Sequence, residues 1–192
     1  MRNALVSAAL AFGLAWATAL GAAPLKLKPA NPQPSGLQSG LNVTYKVAQE
    51  KVRSLQDARA LFKLNPKRGK PLRGLDYRDT NEGEPVMTSD APYYVIADIS
   101  GYFRFDAPGV YDIEFYTNDG LDATIGGQRV GYFDGRQGCE GTTVTQVEVP
   151  QTGWYEFRAL YYQNLGTSCL MMKIGPSGQK RNWVPNNMFG RK

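Results

Sequence analysis

The stretch Gly109-Val110-Tyr111-Asp112-Ile113-Glu114-Phe115-Tyr116-Thr117-Asn118-Asp119-Gly120-Leu121-Asp122-Ala123-Thr124-Ile125-Gly126-Gly127-Gln128-Arg129-Val130 decides the fold. Tyr111, Ile113 and Phe115 alternate with Asp112 and Glu114. A period of two puts apolar groups on one face of a strand and acids on the other. Asn118-Asp119-Gly120 interrupts that run, and Gly126-Gly127 interrupts the next. Both are turn signals, so the stretch predicts consecutive strands joined by turns.

The same period extends outward. Phe103 and Phe105 alternate with Tyr102 and Arg104. Tyr155, Phe157, Ala159 and Tyr161 alternate with Glu156, Arg158 and Leu160. Leu170, Met172 and Ile174 alternate with Met171 and Lys173. Ala107-Pro108-Gly109, Pro150 to Gly153 and Gly175-Pro176 separate the runs. Short alternating strands with frequent turns predict an all-β antiparallel sandwich or barrel. One face of each strand is expected inside and the other in water. One short helix is predicted near the N-terminus: Ser54 caps it, Asp57 follows three later, and Leu55, Ala58, Leu61 and Phe62 form its apolar face. Asn65-Pro66 ends it.

Composition removes several chemistries. The chain has 192 residues, 22 Lys+Arg, 17 Asp+Glu, two Cys and no His, for a net charge of +5. Its 42% hydrophobic content suffices for a core, and its length suits one domain plus a tail. Without histidine there is no Ser-His-Asp or Cys-His catalysis, no imidazole zinc site and no imidazole pH switch. Two cysteines cannot make a four-thiolate zinc site. The sequence has no GxxxxGK[ST] phosphate loop, no GxSxG elbow and no EF-hand spacing. Carboxylates are plentiful, so residue type leaves a glycosidase-like pair open; strand-spaced acids such as Asp112 and Glu114 read as a solvated face.

Arg2 precedes an apolar run from Ala4 to Ala23, broken only by Ser7 and Thr18, and the run ends in Ala19-Leu20-Gly21-Ala22-Ala23. A charged start, an apolar run and small residues at its end read as a secretory signal over residues 1–22. A membrane anchor is the alternative, since the run is nearly long enough. The signal reading predicts an exported protein, periplasmic or secreted, with no membrane span after cleavage. In an oxidising compartment Cys139 and Cys169, thirty residues apart, are expected to join. Closing that loop contributes ~3–4 kcal/mol. Residues 23–39, with Pro24, Pro29, Pro32 and Pro34, read as a Pro-rich linker.

Charge is segregated. Residues 24–78 carry twelve Lys or Arg against three Asp or Glu, whereas residues 79–179 carry five against fourteen. The basic part is either a surface for an anionic polymer or the packing partner of the acidic part. Export disfavours nucleic acid as a ligand. In the acidic part, Asn118 and Asp119 present oxygens together, the hard ligands that Ca²⁺ prefers. The alternative is a β-turn in which both bond local backbone.

The opening stretch resembles the signature of the PA14 domain, which has a Gly-x-Tyr-x-Phe-like strand, a Ser-Asp-Asp-Gly-like turn, and then a strand ending in Asp-Gly before a Val. Other segments are similar in order: Gly40-Leu41 to Tyr45, Ile99-Ser100-Gly101-Tyr102-Phe103-Arg104-Phe105, Gly153-Trp154-Tyr155 to Tyr162, and Trp183-Val184-Pro185 as the closing strand. The resemblance spans residues 40–189, leaving 190–192 as a tail. It implies a β-sandwich module of exported proteins. In the carbohydrate-binding members, two adjacent Asp joined by a cis peptide hold Ca²⁺, which binds sugar hydroxyls. Those positions resemble Asn118 and Asp119 here. A second loop of those members looks like Tyr162 to Ser168, with Asn164 as the side-chain ligand and Gly166 and Ser168 as the carbonyl positions. Asn118 leaves one charge where those members have two, with Asp122 or Asp134 as candidates to compensate. The disulfide would tie Cys169, next to this loop, to the Gly-rich segment around Cys139.

The expectation is therefore a non-catalytic binding module for a glycan or a cell-envelope component, with Ca²⁺ at Asn118, Asp119, Asn164, Gly166 and Ser168 assisting the glycan reading. A structural or protein-interaction module without ion binding, and a small carboxylate-pair glycosidase, are the alternatives.

Overall fold

The computed structural model describes residues 22–192. Apart from Ala22, the segment read as a secretory signal lies outside the described residues. In chain order, β1 (Leu25–Lys26), β2 (Gln38–Ser39) and β3 (Asn42–Val47) precede α1 (Leu55–Phe62). Two short strands follow, β4 (Lys67–Arg68) and β5 (Asp76–Tyr77). Then come β6 (Val95–Phe105), β7 (Gly109–Asn118), β8 (Gly120–Ile125) and β9 (Gln128–Phe133). The chain continues through β10 (Glu140–Gly141), β11 (Thr145–Val149), β12 (Gly153–Gln163) and β13 (Cys169–Pro176). It closes with β14 (Asn182–Trp183), a 3-10 turn at Asn186–Met188 and β15 (Phe189–Arg191).

These strands form two sheets. The first runs β1-β11-β7-β13-β14, with β10 also on β7 and β5 also on β13. The second runs β2-β15-β6-β12-β8-β9, with β3 on β6 and β4 on β3. Among the described pairings only β1 with β11 is parallel. The fold is all-β with one short helix, as the alternation predicts. Phe103 and Phe105 of β6, Ile113 and Phe115 of β7, and Tyr155, Phe157 and Tyr161 of β12 are fully buried between the sheets. Their aromatic rings meet edge to face: Phe103 and Phe105 centroids are 4.9 Å apart, and Phe105 and Tyr155 centroids 5.2 Å. That geometry sets the positive edge of one ring against the negative face of the next.

Helix α1 begins where its sequence says it should. The Ser54 side chain accepts from the Asp57 N–H at 3.1 Å, and the Asp134 carboxylate accepts from the Leu55 N–H at 2.7 Å. Two of the otherwise unpaired first-turn donors are thereby satisfied. Leu55 and Ala58 pack into a second apolar cluster with Val52, Ile96 and Tyr162. Ser54→Ala is expected to cost about 1 kcal/mol, read as a shift in the urea midpoint with unchanged slope.

Three sequence expectations are corrected. Residues 23–39 form only the two-residue strands β1 and β2, with no helix, but they are no free spacer. Leu27 is buried, β1 pairs with β11, and Gln33 bonds both the N–H and the carbonyl of Trp154. One buried leucine in a proline-rich run leaves no periodicity to read. Residues 190–192 are not simply a tail, because Gly190 and Arg191 belong to β15 and pair with β2. The closing strand is therefore β15, not the Trp183 segment, which forms the edge strand β14. The basic and acidic parts neutralise each other only locally, through Lys26–Glu148 and Arg59–Asp122. Among the described residues, no helix is long and apolar enough to cross a membrane.

Candidate functional site

Strand β7 belongs to the first sheet and β8 to the second, so Asp119 sits where the chain passes between sheets. The return connection, residues 164–168, makes the opposite crossing from β12 to β13. Tyr162 of β12 lies opposite Gly120, and Cys169 of β13 lies opposite Asn118. The two connections are therefore neighbours by register. The Asn118–Asp119 peptide is cis.

The contacts at this corner are long-range, not the local turn that residue type alone allows. Asp119 Oδ2 accepts from the Asn164 N–H at 2.8 Å, and Oδ1 accepts from the Gln137 N–H at 3.2 Å. The Asp119 N–H donates to the Tyr162 carbonyl at 3.1 Å. Asn118 Nδ2 donates to Thr167 Oγ1 at 3.0 Å, and the Tyr161 hydroxyl donates to the Asn118 carbonyl. Gly120 has no positive φ; it is needed because the Tyr162 ring occupies the place of its Cβ.

The structure brings Asn118, Asp119 and Asn164 together, all buried. Gly166 and Ser168 lie on the same connection. The Gly166 carbonyl accepts from Gln163 Nε2 at 3.5 Å, and the Ser168 carbonyl accepts from the Thr80 N–H at 3.1 Å. A carbonyl has two lone pairs, so each keeps acceptor capacity. Asp122 and Asp134 do not supply the missing charge. Asp122 is paired with Arg59 and Arg129, while Asp134 accepts from the Leu55 N–H.

Burial pushes the Asp119 carboxyl up from its ordinary pKa, against the lowering effect of the Asn164 and Gln137 N–H groups and of the Arg136 charge. Asn164 is 1% exposed, and neither its Oδ1 nor its Nδ2 has a hydrogen-bond partner. Buried side-chain amides are ordinarily paired, so this one has spare coordinating capacity. Thr117 Oγ1, one residue before Asn118, and Gln163 Oε1, one residue before Asn164, are also buried and unpartnered. No three acidic or thiolate side chains converge among the described residues. A cation here would rest on one carboxylate and neutral oxygens. That donor set fits a hard cation.

Sequence reasoning missed Gln137. Its backbone holds Asp119, while its side chain donates to the Thr117 carbonyl at 3.0 Å and the Glu140 carbonyl at 3.3 Å. The available hint was its place two residues before Cys139. The Cys139–Cys169 disulfide, with Cα atoms 5.8 Å apart, ties this excursion to the start of β13.

No family model matches the chain, and no curated protein matches its sequence. Solved structures do match. The PA14 domain of the MpAFP antifreeze protein is 15% identical with a TM-score of 0.69, over 84% of this chain and 95% of that one. A PA14 sugar-binding domain from an RTX adhesin is 14% identical with a TM-score of 0.63, over 80% and 99%. The Epithelial Adhesin 9 A domain from Candida glabrata, in complex with Galβ1-4GlcNAc, is 16% identical with a TM-score of 0.64, over 84% and 92%.

Proposed function

We propose that this chain, which folds as a PA14-like domain, is a non-catalytic carbohydrate-binding module of an exported protein, and that it uses Ca²⁺ at the Asp119 corner. The observation that carries the reading is the Asn164 amide, buried without a partner on the residue whose N–H holds the Asp119 carboxylate. The sugar-binding neighbours of the same fold support it, as does the disulfide, which suits an oxidising compartment.

Asp119 would supply the single charge, with Asn118 and Asn164 giving side-chain oxygens and Gly166 and Ser168 carbonyls. A bound Ca²⁺ offers open positions to paired sugar hydroxyls. The chain's own part is to hold Asp119 rigid through the Gln137 and Asn164 N–H groups, so that little ordering remains to be done on binding. One charge in the donor set places the expected Ca²⁺ affinity roughly at 10⁻⁴–10⁻³ M, the range of extracellular modules.

The test is a calorimetric titration with Ca²⁺, followed by a glycan array with and without chelator. Asp119→Asn is expected to abolish the Ca²⁺ heat. Asn118→Asp is expected to tighten Ca²⁺ on the order of tenfold, because a second charge joins the donor set. It also keeps its contact with Thr167, whose hydroxyl can turn to donate. Absence of Ca²⁺ binding at millimolar concentration, together with a blank array, sinks the proposal.

A further inference from the structure

A groove of about 610 Å³ lies between the edge formed by β3 and β4 and the segment 88–91, with none of Asn118, Asp119, Asn164, Gly166 or Ser168 on its lining. Four cations line it: Lys46, Lys67, Arg68 and Lys70. Among the described ion pairs none involves any of the four. Asp90 is the single acid on the lining. Tyr45 forms part of the wall, and burial pushes its pKa up to about 12, so its hydroxyl stays neutral. The groove thus has a large uncompensated positive charge.

Its walls are fixed. The Tyr45 hydroxyl and Thr88 Oγ1 share a hydrogen bond of 2.9 Å, and Thr88 Oγ1 also donates to the Lys70 carbonyl at 2.7 Å. The Tyr45 ring fills the space where a Cβ of Gly69 would stand. Met87, next to Thr88, has φ 51°, an uncommon conformation for a bulky side chain. The hydrogen bonds of Thr88 tie the two sides of the groove together at its wall.

We infer that this groove is a second ligand site, and that its ligand is an acidic polysaccharide carrying carboxylates. The cations are strung along an edge instead of converging on one point. Lys67 to Lys70 spans about 10 Å at ~3.3 Å per residue, which suits charges repeated along a chain. Asn65 and Ser89 add polar groups for hydroxyls. A planar membrane cannot enter a concave groove. Tyr45, 7% exposed, leaves no ring face on which a base could stack.

The experiment uses polygalacturonate as probe, with neutral dextran and polyphosphate as comparisons, read by biolayer interferometry in EDTA. The chelator removes any contribution from the Asp119 corner, so this inference and the Ca²⁺ proposal fail separately. Polygalacturonate is expected to bind, dextran not, and binding is expected to weaken with added salt. Changing Lys67→Gln, Arg68→Gln and Lys70→Gln together is expected to weaken it tenfold or more. All three side chains are exposed, so the melting temperature should hold. Lys51→Gln with Lys63→Gln, cations elsewhere on the surface, is expected to leave binding unchanged. Absence of polygalacturonate binding, preference for polyphosphate, or equal losses in the two variants would each overturn the assignment.

Discussion

Gly120→Ala is expected to destabilise the domain by about 3 kcal/mol and to disable the Asp119 corner. A Cβ at position 120 would lie 2.1 Å from Tyr162 Cε1, 2.7 Å from Cζ and 2.9 Å from Cδ1. The ring cannot retreat. It is fully buried against Val52, Leu55 and Ile96, and its hydroxyl donates to the Gly135 carbonyl at 2.5 Å. Strands β8 and β12 must therefore part at the pair that carries Asp119 on one side and Asn164 on the other. A double-mutant cycle checks the cause. Tyr162→Ala alone is expected to cost about 3–5 kcal/mol through the cavity it leaves. On that background Gly120→Ala should add little, because the ring is gone and the φ of Gly120 is not left-handed. A coupling near 3 kcal/mol by urea denaturation is the expected result. Additive losses would mean that the glycine serves backbone freedom and not the ring.

That glycine also marks where sequence reasoning stops. Period-two alternation made Phe103, Phe105, Ile113, Phe115, Tyr155 and Phe157 legible as core, because a strand has no other way to hide every second residue. Ser54 made the helix start legible through its hydroxyl. Alternation says nothing about which sheet a strand joins. Asn118-Asp119-Gly120 therefore reads as a turn between neighbouring strands, while the chain in fact leaves one sheet for the other there. Asn118, Asp119 and Asn164 were found as one group only through a family resemblance. Gln137 stayed hidden because it holds Asp119 with a backbone N–H, which every residue but proline carries. The basic excess of residues 24–78 was legible, but the groove that gathers Lys46, Lys67, Arg68 and Lys70 is a property of packing.

Removing the disulfide is expected to have an effect of similar size. Cys139→Ala with Cys169→Ala opens a loop of 30 residues of sequence separation and should cost ~3–4 kcal/mol. At this chain length that is a fall of roughly 10 °C in melting temperature, and reductant should lower the wild type by the same amount. The second effect is at the site. The Asp119 carboxylate is held by two N–H groups, one on Gln137 and one on Asn164. Gln137 lies two residues before Cys139, and Asn164 five before Cys169, so the cross-link fastens both supports. Losing it should weaken Ca²⁺ binding as well as stability. Gln137→Ala separates the two effects: it removes the side-chain bonds to Thr117 and Glu140 but keeps the N–H that faces Asp119. That variant should melt slightly lower and bind Ca²⁺ nearly as the wild type does. A disulfide-free variant that melts lower yet binds Ca²⁺ with undiminished affinity would show that the cross-link fastens the excursion without ordering the corner.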